Sequence, residues 1–337
     1  MNEEDAHKQD VATIDDVRRR MLSRRKIVFQ ALGFLAGLVL IAICFRTAFQ
    51  DGADWSRIRE ASPALLTALL VTGLLSTVLD GMVFWAVMRP YHRLGFMEVQ
   101  GANMTASFLN YGPVRLGTIF RIIFHARVDK IPLIPILAWF AAITVTTAAC
   151  MGSVFVATLL VGKPGVSWAC IVALLLAISG VSLWFVSRSS MVRRRANGIE
   201  RMFGDPQALT AGLVGRLFVL ASICVRMSLA AQILELDIET DLVIMISITA
   251  LLSSFIPLGR FGWREATVTL VTARFAAESL GDVDVTATAA QLALVESAGE
   301  ALVVVPLGTL TAIWAFRRML ATRRTGSTSS PAASDRK

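Results

Sequence analysis

Charge is scarce in this chain. Asp, Glu, Lys and Arg make up 17% of its 337 residues against 55% hydrophobic, a balance that cannot clothe a water-soluble protein. Histidine is scarcer still: His7, His92 and His125 share no ligand spacing with cysteine, so no zinc site is expected. The four cysteines, Cys44, Cys150, Cys170 and Cys224, all fall inside apolar runs. They read as small buried hydrophobes and not as a disulfide framework or metal site. There is no Gly-rich nucleotide-binding loop, no nucleic-acid module, and none of the ten-residue alternation of an outer-membrane barrel. No nucleophile stands at a useful spacing from a base, so enzyme chemistry is not expected, with carboxylate-only chemistry the one route left open. No cofactor or metal is implied.

What the chain has in quantity is long apolar sequence. Mean hydropathy is +0.63, and runs of spanning length at 27–45, 64–88, 132–161, 166–187, 208–234 and 286–316 predict helices that cross a bilayer. The fold class expected is an all-α polytopic membrane protein. Trp55, Trp139, Trp168, Trp184 and Trp314 lie near run ends, where interfacial anchors belong. The first run is long for a signal-peptide core and no small-residue cleavage site follows it, so it reads as a retained span.

Two further segments, 98–125 and 241–280, are hydrophobic but interrupted by Gly, Pro and charge. The +8 formal charge orients the rest. Basic residues crowd the N-terminal segment, the 89–97 and 188–206 loops and the C-terminal Arg317, Arg318, Arg323 and Arg324, which puts all four in the cytoplasm. Loops carrying Glu235, Asp237, Glu239 and Asp241, and Glu278, Asp282 and Asp284, then lie outside. These sides agree only if each broken segment leaves where it entered, as a re-entrant segment or as a pair of full helices. Residues 1–26 then form a basic cytoplasmic segment, 27–318 the membrane domain, and 319–337 a Ser/Thr/Ala-rich cytoplasmic tail expected to be disordered.

This parse contains a repeat. Span, span, broken segment, span over 27–161 recurs over 166–316, entered from the opposite face. "SFLNYGPVRLG" from Ser107 resembles "SFIPLGRFG" from Ser254, aligning Arg115-Leu116-Gly117 with Arg260-Phe261-Gly262 at an offset of 145, and Asp80 falls opposite Arg226 at nearly that offset. Inverted repeats with broken helices at matching positions point to a transporter's central site.

The second break, "SSFIPLGRFGWREA", carries Arg260, Arg264 and Glu265. Each charge facing lipid at a helix centre costs about 2.5–3.5 kcal/mol. Broken backbone and charge at that depth are tolerated where protein or a water-filled cavity covers them, and arginines beside a free helix end suit a phosphate. Arg115 and Arg121 at the first break could pair the same group. Asp80 is a mid-span carboxylate, a type that is usually functional. Glu265 could act as a counter-ion or take a proton. Glu296 and Glu300, four apart on one face of the last span, face Arg216 and Arg226 of the fifth as interspan ion pairs or as a proton relay. Gly33 and Gly37 (GFLAG) fit a small-xxx-small packing face, within or between chains.

The segments "SFLNYGPVRLGTIFR" and "FIPLGRFGWREA" resemble the two signature regions of the flippase-like membrane domain of bacterial lysylphosphatidylglycerol synthases and its stand-alone integral membrane relatives. Pro113, Gly117 and Arg121 carry the first region; Pro257, Gly259, Gly262, Arg264 and Glu265 carry the second. Asp80 sits where the family tends to place an acid, and the likeness extends over 27–318. Arg260 departs from it, occupying a turn that is usually glycine-rich, and no soluble aminoacyl-transfer domain is expected. The resemblance implies translocation of an anionic or isoprenoid-type lipid in a bacterial inner membrane, without lipid synthesis. It adds Gly117 and Gly262 to the candidate binding residues. A membrane lipid is the implied partner, with lipid-biosynthesis enzymes a further class, and oligomeric state stays open. A carrier of small soluble anions and a membrane scaffold are the competing readings.

Overall fold

The computed structural model describes residues 24–49, 56–112, 116–190, 198–253, 255, 262–275 and 285–327. Among them every regular element is a helix. In chain order these are α1 (Arg24–Ala48), α2 (Ser56–Glu60), α3 (Pro63–Met88), α4 (Phe96–Leu109), α5 (Leu116–Arg127) and α6 (Leu133–Val161). There follow α7 (Val166–Arg188), α8 (Ile199–Gly204), α9 (Pro206–Ile233), α10 (Thr240–Ser253), α11 (Trp263–Phe275) and α12 (Val285–Ser327). Six of them, α1, α3, α6, α7, α9 and α12, are long and apolar enough to cross a membrane, and they are the six runs read from hydropathy. The two interrupted segments are the pairs α4–α5 and α10–α11. At 1.5 Å per residue each of these four helices is about 18–21 Å long, short of a hydrocarbon core of about 30 Å.

The order of elements repeats: long helix, short helix, long helix, broken pair, long helix, twice over. The short helices α2 and α8 were not legible in the hydropathy. Each precedes a long helix that opens in the same way. Ser62 caps α3 by accepting from the Leu65 N–H, and Asp205 caps α9 by accepting from Gln207 and Ala208. Pro63 and Pro206 occupy the first helical position, where a missing N–H costs nothing.

Lipid offers no hydrophobic drive between spans, so close approach through small residues must hold them together. The most extensive pairing is α3 with α9, where Gly212 and Gly215 let α9 approach Val87 and Val83. The long α12 packs along α1, α3, α4 and α11. Gly33 and Gly37 serve within the chain: the Gly33 carbonyl accepts from Trp263 Nε1 at 3.0 Å, and the Gly37 carbonyl abuts Gly262.

Two expectations need correction. Trp139 is no interfacial anchor; it is 1% exposed and donates Nε1–H to the Phe84 carbonyl at 2.9 Å, the satisfied N–H that a buried indole requires. The tail expected to be disordered from residue 319 begins as helix, since α12 continues to Ser327; 328–337 lie outside the described residues. So do Pro113, Arg115, Pro257, Gly259 and Arg260.

Candidate functional site

Two facing helices carry the polar wall. Ser76, Asp80 and Phe84 follow at four-residue spacing on α3, and Arg216, Val219, Ile223 and Arg226 run at helical spacing along α9. Both stripes line one cavity of about 400 Å³.

The first charge group holds two guanidiniums on one carboxylate. Arg216 donates Nη1–H to Asp80 Oδ1 at 2.5 Å, while Arg121 of α5 stands 4.0 Å from the other carboxylate oxygen. Arg121 is held instead by Asn103, whose Oδ1 accepts from Nη2 at 2.5 Å and whose Nδ2 donates to the Thr77 carbonyl at 3.2 Å. Both guanidiniums lie over the Phe84 ring, 4.3 Å (Arg121) and 5.7 Å (Arg216) from its centroid, within cation–π range. This group carries a formal excess of one positive charge.

The second group balances. Arg226 bonds Glu296 through Nε at 2.5 Å, Glu300 through Nη2 at 2.8 Å and Ser76 through Nη1 at 3.1 Å. Arg264 of α11 reaches the same two carboxylates, Glu296 at 2.5 Å and Glu300 at 3.2 Å. All four side chains are buried. A desolvated quartet of this kind is tolerable only when its charges are paired, and here each carboxylate serves two arginines, with Nε the one guanidinium nitrogen of Arg264 left without a partner among the described residues.

The cavity touches both breaks. Ser107, Asn110 and Thr118 reach it from α4–α5, and Ala250, Leu251, Phe255 and Arg264 from α10–α11 and the turn between them. α6 closes the remaining side with the apolar Leu137, Phe140 and Ile143 beside Thr144 and Thr147. Among the described residues, six have buried side-chain N or O atoms with no hydrogen-bond partner, and four of those six line this cavity: Asn110 through Oδ1, and Arg121, Arg216 and Arg264 through Nε. Polar atoms left unpaired at depth are costly. These unpaired atoms concentrate on residues that line the cavity.

The sequence candidates therefore divide. Asp80, Arg121, Arg216, Arg226, Arg264 and Glu300 line the cavity, with Glu296 bonded behind them. Asp80 pairs with Arg216 and not with Arg226, the residue opposite it in the alignment of halves. Glu265 turns back on its own helix, accepting from the Gly262 N–H at 2.7 Å, as a capping-box glutamate does. Gly117 and Gly262 are contact points: a Cβ would lie 2.0 Å from the Ala106 carbonyl oxygen at Gly117, and 1.7 Å from that of Gly37 at Gly262. Arg115 and Arg260 are outside the described residues. Ser76, Phe84 and Asn103 were missed because they carry no charge, although Ser76 and Phe84 stand one turn either side of Asp80.

Such an arrangement can grip an anion with guanidinium forks while an apolar body rests on α6. The molecule is a multi-pass membrane protein with a charge-lined cavity that touches two broken helical segments. Residues 30–281 match the family described as the lysylphosphatidylglycerol synthase TM region, and the chain belongs to that family, which ties it to membrane lipids. No curated protein and no solved structure matches it.

Proposed function

We propose that the protein is a lipid translocase of a bacterial cytoplasmic membrane, moving an anionic phospholipid or an isoprenoid-type lipid between leaflets. The observation that carries this reading is the cavity itself, with one carboxylate for two guanidiniums, unpaired N–H groups and an apolar wall. A phosphate satisfies the N–H groups, since guanidinium forks match its oxygens. The hydrocarbon part of the same molecule then faces α6 or stays in the bilayer. The repeated order of elements supports two inverted halves, with α4–α5 re-entrant from the cytoplasm and α10–α11 from outside. Both termini are then cytoplasmic. The carboxylates and arginines bind and switch; no bond is made or broken. The driving force is the lipid gradient, the membrane potential or protons.

A carrier of small soluble anions shares the arginines, but a hydrated anion has no use for the Leu137–Phe140–Ile143 wall. A scaffold for lipid-synthesis enzymes would tolerate charge-neutral changes in the cavity. The test is translocation of acyl-labelled phosphatidylglycerol in proteoliposomes, read by dithionite quenching. Losing a hydrogen bond to a charged group costs about 1.5–3 kcal/mol, so Arg121→Gln and Arg216→Gln should each slow transfer about ten- to hundredfold. Wild-type rates in both variants, with the protein folded, would sink the reading.

A further inference from the structure

We propose a second, apolar subsite that takes a hydrocarbon chain of the lipid whose headgroup occupies the polar cavity. It is a groove of about 880 Å³ between α6, α10 and α11, apolar along most of its length and edged at the Leu159 end by Glu239 and Asp241, and none of the residues lining it also lines the cavity. The inference rests on the translocase reading and adds what the substrate must carry: a long chain, read by the protein and not left wholly to bulk lipid.

Continuity identifies the occupant. Along α6 the cavity wall runs through Phe140, Thr144 and Thr147. The groove wall takes over at the next residue, Ala148, and continues through Met151 and Phe155 to Leu159. Within each wall these positions recur every three or four residues, and the two walls meet at the adjacent Thr147 and Ala148, where the stripe steps sideways by about 100° around α6. On α10 the two walls lie on opposite faces, Ala250 and Leu251 toward the cavity and Thr249 and Leu252 toward the groove, so α10 stands between them and α6 is the wall they share. An amphipathic molecule laid along α6 would thus pass from guanidiniums to hydrocarbon at Thr147–Ala148. From Ala148 to Leu159 the stripe rises about 17 Å, room for most of a membrane-length acyl chain and far more than a short one needs.

Gly152 makes the groove testable. It lines the groove, and a Cβ placed on it meets nothing within 4 Å, so a larger side chain there starts out into open groove space. The experiment titrates detergent-purified protein with dioleoyl- or dihexanoyl-phosphatidylglycerol and reads retained lipid by native mass spectrometry. Wild type, Gly152→Phe and Arg121→Gln are compared. Wild type should retain the long-chain lipid at least tenfold better than the short-chain one. Gly152→Phe should erase most of that preference while leaving short-chain binding unchanged. Arg121→Gln should weaken both lipids and keep the preference. An unchanged chain-length preference in Gly152→Phe overturns the chain subsite and leaves the headgroup site standing. Retention indifferent to Arg121→Gln, with the preference still lost in Gly152→Phe, would overturn the headgroup reading and keep the groove as a site for hydrocarbon alone.

Discussion

At the scale of single residues, the two charge groups have different work to do because their charge counts differ. Arg226, Arg264, Glu296 and Glu300 neutralise one another at full burial. Removing one member strands a charge where water cannot reach it, at a cost of about 3–5 kcal/mol. Arg226→Met should therefore lower the thermal midpoint in detergent sharply. Arg226→Met combined with Glu296→Leu leaves Arg264 facing Glu300 and should recover most of the loss. A double variant as unstable as the summed single changes would show that shape, and not charge, holds the quartet. Asp80, Arg121 and Arg216 are built otherwise. Asp80 keeps 25% of its side chain exposed and shares itself between unequal distances of 2.5 and 4.0 Å. On the proposed function, the surplus guanidinium, held on a ring face and by an asparagine, takes the lipid phosphate as its outside acceptor. A structural cluster would have closed that gap.

At the scale of elements, the breaks are held by backbone contact more than by charge. Gly117 sets the start of α5 against the end of α4, and Gly262, at φ +84°, sets the start of α11 on α1. Overpacking a tight site costs about 1–3 kcal/mol. Gly117→Ala and Gly262→Ala should each lower stability by that order, Gly262→Ala by more because its φ is strained for any residue with a Cβ. Circular-dichroism melts would settle the order, and an Ala at 262 tolerated without loss would mean that α1 and α11 are not in firm contact. These glycines were visible in the sequence as helix breakers; that they are meeting points was not, because the partner backbones come from Ala106, one segment away, and Gly37, in the first span. The six spans were legible because hydropathy averaged over twenty residues depends on no partner. Pair register does depend on one. Asp80 meets Arg216 and not Arg226 because the lateral placement of α3 on α9 is set by Gly212 and Gly215 against Val87 and Val83, and no window along one helix records it. Glu265 shows the reverse: Gly-x-x-Glu ahead of a helix is a local capping signal, and the pull of its neighbour Arg264 hid it.

At the scale of the whole molecule, the cavity is off-centre on α3 and α6 and near the middle of α9, where its lining runs from Arg216 to Arg226. Phe84 lies four residues from the end of α3 at Met88, and Leu137 four from the start of α6 at Leu133. Both ends adjoin the basic 89–97 loop or the α5–α6 turn, on the side that charge assigns to the cytoplasm. At the opposite ends, Ser76 is thirteen residues from Pro63 and Thr147 fourteen from Val161. The neutral quartet lies at the deeper end, on α9 ten residues beyond Arg216. On the proposed topology this is a cavity reached from the cytoplasm and closed beyond by ion pairs. A translocase must also visit the opposite arrangement, in which the second half does what the first does here. Cysteine at Ser107 or Thr144, in a background without the exposed Cys170, should react quickly with a membrane-impermeant thiol reagent from the cytoplasmic side. Reaction from the outside should be slow and should accelerate when transportable lipid is supplied, since each cycle turns the cavity outward. Reaction from the cytoplasmic side alone, whatever lipid is present, would describe a fixed pocket and favour the scaffold. Faster reaction from outside would invert the topology that the basic loops define.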